Sequence, residues 1–320
     1  MPDLLCMGEP MLELNQRRQA ADAAETLFLQ GHGGDTSNAA IAAARNGASV
    51  GYVTAIGRDA PGDSFMALWA REGVDTATVA RTDAAPTGLY VVSHGEDGHR
   101  FTYYRAGSAA SRMGPADVPE DAIRGARMLH VSGISQAIST GACDAVFRAI
   151  EVAKAAGVGV SYDTNLRLAL WPEARAAAVI HAGVAQADVA LPSFDDVRVL
   201  TGLEDPDAIA DFYLRLGCPL VLLKLGAEGV LVATPSRRER VGGFKVEAVD
   251  ATGAGDTFAG SFLARHLAGD DPFAAARYAN AAAALATTGY GAVAPIPRPD
   301  AVNALLRERG GTAGTAPRKS

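Results

Sequence analysis

Cysteine is scarce in this chain, and its placement excludes the chemistry it usually brings. The 320 residues hold three, Cys6, Cys143 and Cys218, an odd and widely separated set with no Cys-x-x-Cys spacing for zinc or redox work. They read as small core residues. No apolar run approaches the roughly 20 residues of a membrane span, and Met1-Pro2-Asp3 lacks the basic start of a signal peptide. A cytoplasmic protein without a membrane partner is expected. Positive charge is not in excess either: 29 Lys and Arg against 36 Asp and Glu leave a net charge of −7, which argues against a broad nucleic-acid surface. Any anionic ligand must then be drawn by local groups. The chain has no Gly-x-x-x-x-Gly-Lys-Ser/Thr and no protein-kinase motif set. After the first apolar run, Gly8-Glu9-Pro10-Met11 also lacks the Gly-x-Gly-x-x-Gly that a nucleotide-dependent oxidoreductase would show.

What is present is the composition of a large globular domain, 48% hydrophobic and 20% charged. Short apolar runs alternate with helical stretches: Leu4 to Met7, Asn38 to Asn46, Val50 to Ala55, Ser64 to Glu72. The rhythm resumes at Met128 to Val131, 142–155, Gly159 to Asp163, Glu173 to Ala185, Val189 to Leu191 and Val221 to Lys224. Such βαβα order predicts an α/β fold with a doubly wound, mostly parallel sheet and helices on both faces. Gly88 to Ser93 and Arg100 to Tyr104 are β-rich and flank Gly95-Glu96-Asp97-Gly98, which reads as a hairpin. With the non-periodic Glu13 to Leu29 stretch they predict a small β lid formed from about 10–30 and 78–105. Asp271-Pro272 reads as the cap of an Ala-rich helix from Phe273 to about Thr287. One domain over 1–309 and a frayed tail over 310–320 complete the expected organisation.

The most informative stretch is Val249-Asp250-Ala251-Thr252-Gly253-Ala254-Gly255-Asp256-Thr257-Phe258. Gly253 and Gly255 permit backbone angles and close approaches that let consecutive amides point at one anion. Phe258, Phe262, Leu263 and Leu267 recur at helical spacing, so those amides open a helix whose dipole also favours negative charge. Asp256 is either a helix cap or a general base taking the proton of an attacking hydroxyl while the 253–256 amides hold a phosphoryl group. This stretch resembles the C-terminal signature of the ribokinase-like, or PfkB, family of sugar kinases. Gly33-Gly34-Asp35-Thr36-Ser37-Asn38-Ala39-Ala40 and the residues to Gly47 are similar to its N-terminal signature, and the resemblance runs in order from about Met7 to Pro295.

The resemblance implies an ATP-dependent kinase acting on a primary hydroxyl, with Mg²⁺ accompanying the nucleotide, Asp256 as base, and Gly253, Ala254 and Gly255 forming the anion hole. It places Gly34, Asp35 and Asn38 on the sugar, although Asp35 in such a loop is equally a helix cap. Tyr103-Tyr104-Arg105-Ala106-Gly107 and Asp163-Thr164-Asn165-Leu166-Arg167, with Cys6-Met7-Gly8-Glu9-Pro10-Met11, are similar to the 2-keto-3-deoxygluconate kinases within the family. That similarity implies Gly34, Tyr90, Tyr104, Arg105 and Arg167 around a sugar acid. Two Arg forks on one pocket suit a carboxylate, whereas surface ion pairs for the Arg residues and lid packing for the Tyr residues are the plain alternatives. On the nucleotide side the resemblance implies Asn165, Lys224, Gly226, Gly229, Thr252, Gly253, Gly255 and Asn280. Ser193-Phe194-Asp195-Asp196 stands where many relatives carry Asn-x-x-Glu; it keeps an acid but replaces Asn by Ser193, and the metal ligands stay unassigned. A homo-oligomer, a dimer through the lid or larger, is expected, and other sugar kinases of this fold are the rival reading.

Overall fold

The computed structural model describes residues 1–17, 26–95 and 98–310. A large sheet runs, edge to edge, through strands Arg238–Gly242, Gly229–Ala233, Val221–Lys224, Val189–Ala190, Gly159–Asp163, Met128–Ser132, Leu4–Met7, Val50–Gly57 and Val74–Asp75. Pairings from Val221–Lys224 to Val74–Asp75 are parallel, and the last two strands turn back as an antiparallel hairpin on the opposite edge. The chain begins in the middle of this sheet, extends to one side, then crosses to Met128–Ser132 on the other. That reversal leaves a crevice at the carboxyl ends of the central strands, where open α/β sheets bind ligands.

Both faces of the sheet are buried, so its strands are nearly continuous apolar runs. Successive side chains alternate: Leu5 and Met7 join one core with Leu129, Val131, Val160 and Tyr162, while Leu4 and Cys6 join the other with Tyr52, Leu222 and Phe262. Each fully buried large aliphatic or aromatic contributes roughly 1.5–3 kcal/mol by leaving water. All three cysteines are free and buried within or beside these layers, as expected of small core residues.

A second sheet of four strands, in the order Phe28–Gly33, Met11–Gln16, Gly88–Gly95, Gly98–Tyr104, sits over the crevice. The lid expectation is corrected at one place. Val79–Thr82 pairs in parallel with Val50–Gly57 and belongs with the large sheet, so the second half of the lid starts at Gly88. The reason is chain direction: after the helix Ala60–Glu72 the strand Val74–Asp75 pairs with the start of Val50–Gly57, and the chain continues alongside it so that Val79–Thr82 pairs with its end, from Thr54 to Gly57. The hairpin's tip and most of the 16–28 connection lie outside the described residues, as does the proposed tail beyond Gly310. The Ala-rich helix spans Pro272–Ala286, capped by Asp271, whose side chain accepts from Phe273 N. A final helix, Pro299–Gly310, packs on it through Val302. Among the described residues no helix is long and apolar enough to cross a membrane.

Candidate active site

Asp256 lies in the first turn of the helix Ala254–Leu267, directly behind the left-handed Gly253 (φ 75°). A side chain at Gly253 would be strained by that angle and would also meet the Ala292 backbone at 2.9 Å. The turn is tied from below, because Asp250 accepts from Thr252 N (2.9 Å), Thr252 Oγ1 (2.6 Å) and Gly291 N (2.9 Å). A small-residue seam then sets where Asp256 points. A β-carbon on Gly260 would come within 2.1 Å of the Ala39 carbonyl, so this helix presses against the helix Asp35–Arg45. Across that contact Asn38 Nδ2 donates to Asp256 Oδ2 at 2.8 Å.

The carboxyl of Asp256 keeps some access from the cleft, yet protein surrounds it. Desolvation is the main reason its pKa rises to about 7; the neighbouring Asp35 and Asp163 charges add to the rise, while Asn38 and Lys224 oppose it. A carboxylate poised near neutral pH at a helix N-terminus can both accept a hydroxyl proton and stand beside a stabilised phosphoryl group, although the Ala254 amide expected in the anion hole already donates to the Ala251 carbonyl at 3.2 Å.

Around it the strand ends converge. Gly34 (φ 104°) precedes Asp35, and a β-carbon there would strike the Glu9 carbonyl at 2.5 Å. Asn165, the sole non-glycine residue at positive φ (29°) among those described, donates from Nδ2 to Asp35 Oδ2 at 3.0 Å. Its own N–H is held by Asp163 Oδ1 at 3.1 Å, a local turn that fixes this unusual backbone. Asp163 also takes Lys224 Nζ at 2.6 Å, and a β-carbon on Gly255 would lie 3.5 Å from that ammonium. Lys224 thus stands beside the amides that open the helix. Gly226 and Gly229 shape the turn after it, both at positive φ.

One cleft of about 1290 Å³ collects nearly all the residues singled out in the sequence, from Gly34, Asp35, Asn38, Tyr90, Arg105, Asn165 and Arg167 to Lys224, Gly226, Gly229, Thr252, Gly253, Ala254, Gly255, Asp256 and Asn280. That volume exceeds the 300–1,000 Å³ typical of a single ligand pocket, which leaves room for two ligands end to end. Tyr104 is the exception. It is 61% exposed and faces outward; Tyr103, its neighbour in the strand, lines the cleft instead, because successive strand residues point to opposite faces.

Three other residues have different surroundings from those expected. Arg105 pairs with the fully buried Glu9 through Nε (2.8 Å) and Nη2 (2.5 Å), and Ser108 donates to the same carboxylate. Asn280 spends its amide hydrogens on the carbonyls of Val241 (3.0 Å) and Gly242 (3.3 Å), fastening the edge strand to the Ala-rich helix. Asn38 reaches Asp256. By contrast, Arg167 donates to the Leu166 carbonyl at 2.7 Å and makes no ion pair among the described residues. Asp196 accepts from Leu166 N (3.0 Å) and Ser193 Oγ (2.7 Å), and burial raises its pKa. Glu9 and Asp163 had not been singled out, although both sit in quoted stretches at the ends of predicted strands, which is where they were to be sought.

The two-sheet architecture is that of the ribokinase-like α/β fold. A fructokinase with bound ATP from Xylella fastidiosa superposes with a TM-score of 0.87 at 27% identity, covering 97% of this chain and 100% of that one. The profile described as pfkB family carbohydrate kinase matches residues 1–299. In sequence, a 2-dehydro-3-deoxygluconokinase of Thermoproteus tenax is 36% identical over 315 residues, 96% of this chain and 95% of its own. Fructokinase-2 of Solanum habrochaites is 33% identical over 320 residues, 95% of this chain and 96% of its own. The chain belongs to the pfkB family of carbohydrate kinases.

Proposed function

We propose that this kinase transfers the γ-phosphoryl group of ATP to the primary hydroxyl of a sugar acid, 2-keto-3-deoxygluconate, giving 2-keto-3-deoxy-6-phosphogluconate. The carrying observation is that one cleft holds both Asp256 and an arginine, Arg167, that has no ion-pair partner among the described residues, although its charge acts on Asp196. A carboxylate ligand supplies that partner, since a guanidinium fork holds carboxylate oxygens through two parallel hydrogen bonds. Asp256 takes the hydroxyl proton as the oxygen attacks, and the 253–256 amides with Lys224 stabilise charge on the migrating group. Asn38 holds Asp256 in the orientation this requires.

Magnesium with ATP is part of the reading. Among the described residues no cluster of three or more metal-ligating side chains exists, which fits a cation held chiefly by nucleotide phosphates and by one or two carboxylates. Asp196, in the cleft and in no ion pair among the described residues, is the carboxylate that would hold it, and the cation would neutralise charge developing on the phosphates. The lid excludes water that would otherwise compete for the phosphoryl group. Its face away from the cleft exposes Phe28 and Tyr104, and we take this surface as the dimer contact.

A neutral ketose is the second reading, favoured by Glu9, which already neutralises Arg105. A coupled ATP-consumption assay comparing 2-keto-3-deoxygluconate with fructose and ribose decides between them. A higher kcat/KM for fructose would overturn the sugar-acid proposal.

A further inference from the structure

Beside Tyr90, which lines the cleft, stands a buried acid. Glu13, in the lid strand Met11–Gln16, is 6% exposed and makes no ion pair among the described residues. It lies directly across from Tyr90 in the parallel pairing of the two lid strands, and the Tyr90 hydroxyl donates to Glu13 Oε2 at 2.5 Å. We infer that Glu13 is a positioning residue that commits the Tyr90 proton to itself, so that Tyr90 meets the sugar only as a hydrogen-bond acceptor and selects a ligand hydroxyl there over a carboxylate or keto oxygen. This deepens the sugar-kinase reading and rests on it.

Three observations carry it. The Tyr90 hydroxyl donates to Glu13 Oε2, so its one proton points at the lid strand and away from the ligand, leaving only its lone pairs to the cleft. Burial and the adjacent Glu13 charge hold the Tyr90 phenol far above its ordinary range, so it stays protonated. Room for the pair is built into the lid strand Phe28–Gly33: a β-carbon at Gly31 would stand 2.9 Å from Glu13 Oε1, and one at Gly33 2.7 Å from the Tyr90 oxygen. Phe101 and Tyr103, with ring centroids 6.2 and 5.8 Å from Tyr90, fix the ring. The cleft then has two poles. Arg167 takes the acid end of the ligand, and Tyr90, its proton held by Glu13, accepts a hydroxyl from the polyol end.

The test uses whichever sugar the enzyme turns over fastest, with each non-reacting hydroxyl replaced in turn by hydrogen or by fluorine, which accepts weakly and cannot donate. At one position both replacements should raise KM about 5- to 10-fold, the value of one neutral hydrogen bond, with little change in kcat. In Tyr90→Phe the parent sugar should lose that same factor, and the replacements should then cost nothing more. Glu13→Met frees the phenol proton, so the fluoro sugar should gain on the deoxy sugar, while Glu13→Gln, which keeps an acceptor, should restore the wild-type ratio. Fluoro sugars that bind as well as the parent at every position would overturn the inference, as would an unchanged fluoro-to-deoxy ratio in Glu13→Met. If Glu13→Met does not fold, the Tyr90→Phe scan alone decides. Should fructose prove the fastest substrate, the sugar-acid reading falls while this scan still runs on fructose.

Discussion

Asp256 holds a conflict between function and stability. Its carboxyl is raised to about 7, so the folded protein binds this proton more tightly than the unfolded chain does. Between roughly pH 4 and 7 the folded state therefore loses stability as pH rises, because ionisation is easier once the chain unfolds. Asp256→Asn removes the buried charge, and its melting temperature at pH 8 should exceed the parent's by a few degrees in calorimetry. The same substitution should lower kcat by about 10²- to 10⁴-fold, the usual worth of a general base. For the parent, kcat/KM should drop tenfold per pH unit below about 7, since that ratio reports the free enzyme's base. A pH profile flat from 5 to 8 would show that this group is not the base. Arg167→Ala should raise KM for the sugar acid by about 10- to 100-fold, given about 1.5–3 kcal/mol for a charged hydrogen bond, with KM for ATP unchanged.

At the scale of elements, two helices and their seam set the distance between Asn38 and Asp256. The contact of Gly260 with Ala39 is too close to admit a methyl group. Gly260→Ala should destabilise the fold by about 1–3 kcal/mol, as overpacking does, measured by urea unfolding. It should also lower kcat more than it changes KM for ATP, because the displaced pair is Asn38 with Asp256, whereas the nucleotide side proposed above is built on Lys224 and the Ala-rich helix. Gly253→Ala acts differently. It keeps the seam but forces a β-carbon into a left-handed turn, at a cost of about 1–2 kcal/mol, and tilts the amides that face the cleft.

On the scale of the whole molecule, the cleft lies between two sheets of unequal independence. The proposed nucleotide side rests on the large sheet and its packed helices, so it should form without the lid's help. ATP at 100 times its Kd should then stabilise the protein by about 2.7 kcal/mol even with no sugar present, seen as a raised melting temperature. Asp256→Asn should retain that shift, which separates lost chemistry from lost binding.

Periodicity and turn chemistry made most of the architecture legible beforehand. Leu4 to Met7, Gly159 to Asp163 and Val221 to Lys224 are apolar runs of strand length, and the strands found there keep those bounds. Helix starts such as Asp271-Pro272 were readable because the caps are local. The glycine-rich turn before Phe258 was readable for the same reason: a positive φ and an open helix end are set by a handful of neighbouring residues. Short pieces escaped. Val79–Thr82 is a strand only because Val50–Gly57 offers it an edge, and neither partner signals the other in sequence.

What the amino-acid order determined by itself was a parallel α/β core, a β lid, and a helix opened by Gly253 and carrying Asp256, because period, cap and turn act over a few residues. Tertiary structure alone decided who meets whom: Asn38 with Asp256 across 218 positions, Arg105 with Glu9 across 96, Glu13 with Tyr90 across 77. It also decided that Tyr103 and not Tyr104 faces the cleft. Such pairings depend on strand register and on helix spacing set by small residues, and both are properties of the packed molecule that no local stretch contains.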